Sequence, residues 1–267
     1  MLDAMPPDLS SVAVYRRRVG ASLERVWENV RDWEHLPWLH RSSFSAIALE
    51  EEGDWGWRAR IEPRPAQPDH GFRLELVIDG DRYVSRSLDG SLQGAEIWTR
   101  VSPVAAARTD IEVEFLVPGA RTDSIDALGA AYTSLYTTLW DEDERMMVHR
   151  QAMLDARRAP PLAAALPVEL GSVEQVRAKL PLLVESGGRR YRIVEVEGEL
   201  RAHATVCPHM LGPLDEVPVE DGCIECPWHG YRFDLRTGRS SDGRGPRLPR
   251  APEVIAGPDG LLRLVPA

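Results

Sequence analysis

Residues 207–229 read CPHMLGPLDEVPVEDGCIECPWH, and this stretch contains two pairs that each combine one cysteine with one histidine. One residue separates Cys207 from His209, two separate Cys226 from His229, and sixteen lie between the pairs. Structural zinc sites, the main alternative, usually group their ligands as C-x2–4-C and H-x3–5-H. A [2Fe-2S] cluster held by two thiolates on one iron and two imidazoles on the other needs mixed pairs of this kind. The stretch therefore predicts such a cluster and a chain that transfers electrons.

The sequence after the second pair extends the pattern. Residues 229–238 read HGYRFDLRTG, and with the two Cys/His pairs they resemble the cluster-binding loops of Rieske proteins. High-potential Rieske proteins carry an additional cysteine in each loop, whereas here residues 210–212 are Met-Leu-Gly and Trp228 occupies the second loop. The resemblance implies a lower-potential cluster of the oxygenase or ferredoxin type. Cys223 lies outside the ligand pattern and is predicted to be a small buried residue.

The length, charge, hydropathy and cysteine content of the chain restrict its domain number, its partners and its cellular location. The 267 residues suffice for one large or two modest domains. The net charge of −10 argues against a nucleic-acid partner, which needs a basic surface. We expect no membrane span, because no apolar run is long enough, and no leader peptide, because the amino terminus lacks a basic segment and an apolar segment. Three cysteines, two of them assigned to metal, favour the reducing cytoplasm.

The composition changes at residues 156–168, which read ARRAPPLAAALPV. Because proline cannot continue a helix and disfavours helical geometry in the preceding residue, residues 156–167 are predicted to be an interdomain linker. Short β-rich segments separated by glycine turns follow it. Residues 168–267 are therefore predicted to form a small all-β domain that carries the cluster.

The first 155 residues alternate apolar and polar positions over several segments, as expected for an antiparallel sheet with one wet face. The apolar positions are Trp55, Trp57, Ala59 and Ile61, then Phe72, Leu74, Leu76 and Ile78, and then Ile111, Val113, Phe115 and Val117. One amphipathic helix is predicted after Ser22 and a second from about Ser124 to Arg157. This order of strand, helix, strands and long helix resembles the α+β helix-grip fold of START/SRPBCC domains. That resemblance implies an apolar cavity between the sheet and the last helix.

A second metal site is predicted in the first helical region, where the sequence spells Glu28-x3-Asp32-x2-His35-x4-His40. Residues five apart on a straight helix diverge by about 140°, so both histidines face one ion only if the helix is interrupted. We expect Pro37 to interrupt it. The spacing resembles the signature of the catalytic domains of Rieske non-haem iron oxygenases, which implies that His35 and His40 bind mononuclear iron. Without that resemblance, the segment reads as a helix end with two partly exposed histidines.

A 2-His-1-carboxylate iron site also needs an acid. On the last helix, the apolar residues Leu128, Tyr132, Leu135, Met146 and Met153 lie within about 40° of Leu139, and Asp143 does as well. In the family the acid commonly stands eight residues before a glutamine, as Asp143 does before Gln151. Asp143 is therefore the predicted third ligand, with Glu142 and Asp141 as alternatives. The resemblance also implies that Asp32 bridges the electron path between an iron-bound histidine and a cluster-bound histidine.

Together, these motifs predict a Rieske-type oxygenase in which the catalytic domain comes first and the Rieske domain last, the reverse of the usual order. The resemblance implies mononuclear Fe(II), O2 as co-substrate, electrons from NAD(P)H through a separate ferredoxin or flavin reductase, and a homotrimer or a multiple of three. The substrate is predicted to be a small apolar organic molecule, which aromatic rings would suit. The alternative is a non-catalytic Rieske electron carrier fused to a helix-grip domain that binds a hydrophobic ligand.

Overall fold

The computed structural model of the chain describes residues 8–65, 71–158 and 166–266. The chain divides into two compact units, Met1–Gln151 and Ala152–Ala267. The linker predicted from residue 156 begins later, because the preceding helix continues to Arg158. Alanine and arginine are good helix formers, and the first proline of this region stands only at position 160. Residues 159–165 of the predicted linker lie outside the described residues.

Seven strands in the described part of the first unit form one antiparallel sheet in the order β1-β7-β6-β5-β4-β3-β2. Their bounds are β1 Leu9–Val19, β2 Phe44–Gly53, β3 Gly56–Pro63, β4 Phe72–Asp79, β5 Arg82–Ser87, β6 Glu96–Ala105 and β7 Arg108–Pro118. The first strand pairs with the last, so the connection between β1 and β2 crosses the sheet and carries the first helices.

The helices of this unit are α1 Leu23–Arg31, α2 Leu36–Leu39 and α3 Ile125–Arg158, with a 3-10 turn at Trp33–His35 between the first two. α1 begins as predicted after Ser22, whose hydroxyl accepts a hydrogen bond from the backbone N–H of Arg25 at 3.3 Å. The element order of strand, helix, meander and long helix is that of a helix-grip domain, so this part of the predicted fold class is confirmed.

The core of the first unit lies between one face of the sheet and the helices. Trp57, Ala59 and Ile61 of β3 are 4%, 0% and 1% exposed, which confirms the predicted inward face of that strand. The Phe115 ring of β7 stacks on Tyr132 of α3 with ring centroids 4.8 Å apart. Aromatic side chains thus line the space between the sheet and α3, where the resemblance implies an apolar cavity.

The buried face of α3 differs from the predicted one. Leu135, placed on the buried face by the sequence, is 36% exposed, whereas Trp140, Asp143 and Met147 are buried. At 100° per residue, the observed face is centred about 70° from Leu139, toward Trp140. The reason is that the large indole of Trp140 packs into the core more favourably than a leucine. Asp143 lies within this corrected face.

The second unit is built from short strands in three-stranded sheets, and it confirms the predicted small β domain. The strands are β8 Val168–Ser172, β9 Leu182–Ser186, β10 Arg189–Val196, β11 Glu199–Ala204, β12 Val219–Glu220, β13 Cys223–Glu225, β14 Arg232–Asp234, β15 Glu253–Ala256 and β16 Leu261–Val265. The sheets have the orders β11-β10-β9, β12-β13-β14 and β15-β16-β8. One short helix, α4 Val173–Arg177, interrupts the β structure. The first Cys/His pair follows β11, and the second lies between β13 and β14.

Candidate functional site

The segment that carries His35 and His40 turns because α1 ends early. Asp32 has φ −88° and ψ 80°, which is not helical, so the interruption falls at Asp32 and not at Pro37 as predicted. Pro37 instead stands in the first turn of α2, where its missing N–H costs nothing. The indole N–H of Trp57 donates to the carbonyl of Val30 at 3.1 Å and caps one of the terminal carbonyls of α1. The sheet therefore fixes the point at which the chain leaves α1.

This turn and helix α3 bring the three predicted iron ligands together. The Nε2 atoms of His35 and His40 lie 3.5 Å and 3.1 Å from one carboxylate oxygen, Oδ1 of Asp143. One ligand atom from each residue lies within 4.8 Å of the others. The three side chains are buried, at 5%, 2% and 8% exposure. Two imidazole nitrogens and one carboxylate oxygen are the donor set of a non-haem iron(II) site.

Further polar groups orient these three side chains. Nδ1 of His40 donates to Oε2 of Glu142 at 2.7 Å, which leaves Nε2 of His40 facing Asp143. Nδ1 of His35 lies 3.6 Å from Oδ2 of Asp32. The amide of Asn29 donates to Oδ1 of Asp143 at 2.9 Å. A carboxylate thus lies behind each imidazole, at hydrogen-bond distance for His40 and slightly farther for His35, and this resembles the usual arrangement around protein-bound metals.

Electrostatics agree with this geometry. Burial disfavours charge on both His40 and Asp143, but their mutual attraction outweighs it. Asp143 and Glu142 raise the pKa of His40 above its usual value. The two histidines and Asn29 lower the pKa of Asp143. The site thus keeps an ionised carboxylate in a buried position, which requires a cationic partner such as a metal ion or an imidazolium.

The two alternative acids have other partners. Asp141 is half exposed and pairs with Arg17 on the sheet, so it points away from the histidines. Glu142 contacts His40 from the side opposite Asp143. Among the described acids, Asp143 alone combines with both histidines in a cluster of metal-ligand geometry. The residues therefore fit a mononuclear iron.

The second site lies in the carboxy-terminal unit, where the two Cys/His pairs form loops with the same pattern of backbone hydrogen bonds. In each loop the cysteine carbonyl accepts from the N–H four residues later, and the cysteine N–H donates to the carbonyl five residues later. The residue four positions after the cysteine has a positive φ in both loops, +67° at Leu211 and +63° at Gly230. Each loop therefore folds back sharply and presents a sulfur and an imidazole on the same side.

The four predicted cluster ligands converge. The sulfurs of Cys207 and Cys226 form a hydrogen bond, and the His209 and His229 rings have centroids 4.6 Å apart. Cys207 also accepts the backbone N–H groups of His209 and Met210. Cys226 similarly accepts those of Trp228 and His229. These N–H groups favour the thiolate form of each cysteine. The hydrogen bond between the sulfurs, together with burial, raises the pKa of Cys207, whereas the same hydrogen bond lowers the pKa of Cys226.

Close packing around the sulfurs also fits a cluster. Gly212 approaches so closely that a Cβ atom there would lie 2.7 Å from the Cys226 sulfur. The free thiol of Cys223 is buried outside this group, as predicted. Two thiolates, two imidazoles and a glycine that leaves room beside them match the needs of a two-iron cluster with mixed ligands.

Sequence reasoning missed several residues that shape the two sites. Asn29 and Trp57 support the predicted iron ligands from α1 and β3, and neither belongs to the ligand motif. Arg244 donates to the backbone carbonyl of His229 at 2.9 Å and lies over the ring of Tyr231. Such contacts are not visible in the sequence, because the partners are far apart in the chain. Two residue types nevertheless indicate buried hydrogen-bond donors: a polar amide on an apolar helix face and a tryptophan in a core strand.

Comparisons with known proteins agree with the second site. A family model described as the Rieske [2Fe-2S] domain matches residues 167–253. The anthranilate 1,2-dioxygenase ferredoxin subunit of Burkholderia cepacia is 35% identical over 69 residues, which are 26% of this chain and 64% of that subunit. Apoptosis-inducing factor 3 of Mus musculus is 37% identical over 62 residues, 23% of this chain and 10% of that protein. The chain thus spans less than two thirds of either relative.

Among solved structures, norcoclaurine synthase from Thalictrum flavum is 15% identical, and the match covers 52% of this chain and 87% of that one with a TM-score of 0.41. This similarity is too low to support an inference.

In the part of the chain that the structure describes, no helix is long and apolar enough to cross a membrane. The element order shows a helix-grip domain in the first unit, and the family model shows a Rieske [2Fe-2S] domain in the second, a kind of domain that transfers electrons.

Proposed function

We propose that this protein is a Rieske-type oxygenase that activates O2 at a mononuclear iron held by His35, His40 and Asp143. The observation that carries the proposal is the convergence of both imidazole Nε2 atoms on one buried carboxylate oxygen, at 3.5 and 3.1 Å. A ligand-binding domain without iron has no need of an ionised buried acid between two histidines. The Rieske domain in the same chain provides the electrons that oxygen activation requires.

The residues around the iron ligands have distinct roles in this proposal. Glu142 holds the proton on Nδ1 of His40, so that Nε2 of His40 carries the lone pair that a metal needs. Asn29 orients Asp143 by donating to Oδ1. Ferrous iron held by these residues would supply the activation of O2 beside an organic substrate.

Electron delivery follows from the second domain. Cys207, His209, Cys226 and His229 hold the [2Fe-2S] cluster, and a separate ferredoxin or flavin reductase reduces it with NAD(P)H. We assign Asp32 as the bridge between a cluster histidine and the iron site, which its position 3.6 Å from Nδ1 of His35 supports. In a homotrimer, Asp32 of one subunit would meet the cluster of a neighbour. The cytoplasm, where such reductases and their cofactor are found, remains the predicted location.

The proposed substrate is a small apolar molecule, and an aromatic one fits the surroundings. Tyr136 precedes Asp143 by two helical turns, so both residues face the same side of α3. The ring of Tyr136 meets Phe115 edge to face at 4.8 Å, and Trp27 meets Tyr83 in the same way at 6.2 Å. Aromatic walls of this kind favour planar apolar ligands. Hydroxylation, dihydroxylation and oxidative dealkylation are the reactions open to such a site.

Metal analysis of anaerobically purified protein tests the proposal. The oxygenase should contain about three iron atoms and two acid-labile sulfides per chain. Asp143→Ala should lose the mononuclear iron and keep the cluster, with its visible absorption unchanged. Asp141→Ala is the matched control, because Asp141 is an exposed acid on the same helix that pairs with Arg17.

Two results would refute the proposal: a wild-type protein that holds only cluster iron, or an Asp143→Ala protein that retains all of its iron. The first result would instead support the second candidate, a Rieske electron carrier fused to a domain that binds a hydrophobic ligand. One observation favours that candidate: the similar protein of Burkholderia cepacia is a ferredoxin subunit. It predicts that the reduced protein consumes no oxygen with any substrate.

A further inference from the structure

Three side chains stack beside the predicted cluster on its histidine side. The ring of Tyr231 lies parallel to His209, with centroids 4.4 Å apart and 30° between the ring planes. The guanidinium carbon of Arg244 lies over the Tyr231 ring, 3.8 Å from its centroid. Tyr231 itself is 7% exposed. An arginine cation at this distance over a buried tyrosine ring is a strong cation–π contact.

Arg244 also reaches the second histidine ligand. Its Nη1 donates to the backbone carbonyl of His229 at 2.9 Å, a charge-assisted hydrogen bond. The two imidazoles that hold the second iron thus have one residue in common. Arg244 supports His229 directly and His209 through Tyr231, although it lies 15 residues beyond His229.

The charge of Arg244 is balanced on the side away from these contacts. Asp242 accepts from its guanidinium at 2.7 Å, and both side chains are nearly three-tenths exposed. Burial opposes ionisation of Asp242, but Ser240 and Arg244 lower its pKa to about 2. The pair is therefore an ion pair at any working pH.

We propose that Arg244 is a positioning residue that clamps both histidine ligands of the Rieske cluster and raises the reduction potential of the cluster through its positive charge. Reduction adds one electron to the cluster and hence one negative charge. A nearby cation stabilises the reduced form more than the oxidised form, and cluster potentials respond to such charges. Asp242 moderates the effect as the counter-ion.

Reduction potentials of three variants test this inference in the full-length protein with its cluster. In Arg244→Gln the charge is lost and the midpoint potential should fall below that of the wild type. In Asp242→Asn the counter-charge is lost and the potential should rise. Arg244→Lys keeps the charge but loses the planar stack, so its potential should lie between those of Arg244→Gln and the wild type. Redox titration followed by visible circular dichroism measures each value and the cluster content together.

The opposite signs separate an electrostatic role from a merely structural one. A structural role predicts that both Arg244→Gln and Asp242→Asn loosen the same loop and shift the potential in one direction. Arg236→Gln is the control, because Arg236 is an arginine of the same domain that pairs with Asp234 and Glu197 instead. Its potential should equal that of the wild type.

An unchanged potential in Arg244→Gln, a fall in Asp242→Asn, or an equal shift in Arg236→Gln would overturn the inference. If Arg244→Gln fails to retain its cluster, the Lys and Asn variants decide. The inference depends on the Rieske cluster and not on the oxygenase activity. Asp143→Ala, which tests that activity, should keep the wild-type potential, so failure of either proposal is recognised separately.

Discussion

Glu142→Gln should weaken iron binding at the proposed mononuclear site of the helix-grip domain without abolishing it. Glu142 accepts the Nδ1 proton of His40 at 2.7 Å and thereby fixes the imidazole with Nε2 toward Asp143. Glutamine has nearly the same shape but carries no charge, and its amide can present a donor instead of an acceptor to Nδ1. The His40 imidazole then loses both its orientation and part of its basicity.

The size of the effect follows from burial. Loss of a carboxylate behind a ligand histidine typically reduces metal affinity by about 10- to 100-fold. His40 has a side chain only 3% exposed, which favours a large effect, whereas the Glu142 side chain is 21% exposed, so water partly replaces the lost interaction. We therefore expect a loss of about tenfold, equivalent to about 1.4 kcal/mol of binding free energy.

Anaerobic calorimetric titration of metal-depleted, cluster-loaded protein with Fe(II) measures this affinity. Asp141→Asn is the matched control, because it removes the charge of the neighbouring acid, which pairs with Arg17 and not with a histidine. An affinity for Glu142→Gln within about twofold of wild type would refute the reasoning. Complete loss of the site in Glu142→Gln, with retention in Asp143→Asn, would assign Glu142 as the third ligand.

Three further predictions concern stability and cluster assembly. Trp57→Phe should lower the free energy of unfolding by about 1–3 kcal/mol, because it leaves the Val30 carbonyl without its indole donor in the core; chemical denaturation measures this loss. Burial lowers the pKa of His203 from 6.5 to about 4, so protons bind more readily to the unfolded chain and stability should fall as pH drops. At about 1.4 kcal/mol per pKa unit, the loss between pH 7 and pH 4 should reach roughly 3 kcal/mol, and His203→Gln should remove this pH dependence of thermal unfolding. Gly212→Ala should yield protein with little cluster, measured by sulfide content, because the new Cβ would stand 2.7 Å from the Cys226 sulfur.

Each of these predictions has a control or a contrary outcome. Trp33→Phe should cost much less than Trp57→Phe, because the Trp33 indole donates to an exposed Glu52 that water can replace. A pH profile that is the same with and without His203 would assign the acid sensitivity to other groups. Gly20→Ala, in the helix-grip domain, places a Cβ 3.3 Å from the carboxylate end of the Glu144 side chain, far in sequence from the cluster loops, and should leave the cluster content unchanged. Equal loss of cluster in both glycine variants would argue against the steric explanation.

The sequence predicted those parts of the fold that depend on local patterns. Alternation of apolar residues identified the inward face of β3, and Ser22 marked the start of α1, because both signals involve neighbours in the chain. Two local predictions were wrong for reasons that lie elsewhere in the molecule. Leu135 is exposed because the indole of Trp140 determines which face of α3 packs on the sheet. The helix is interrupted at Asp32 and not at Pro37. Trp57 of the sheet caps the carbonyl of Val30, two residues before Asp32.

The sequence by itself determined the chemistry that the chain offers: two Cys/His pairs with mixed ligands, and two histidines in an interrupted helix. Such ligands lie close together because short loops carry them, so their spacing is visible along the chain. Only the tertiary structure decided which acid meets the histidines and which cation meets the cluster loops. Asn29 and Asp143 are 114 residues apart, and Arg244 follows His229 by 15. Such pairs meet only when helices pack on a sheet or a loop folds back. Packing of that kind depends on the whole core, so it produces no characteristic residue spacing in the sequence.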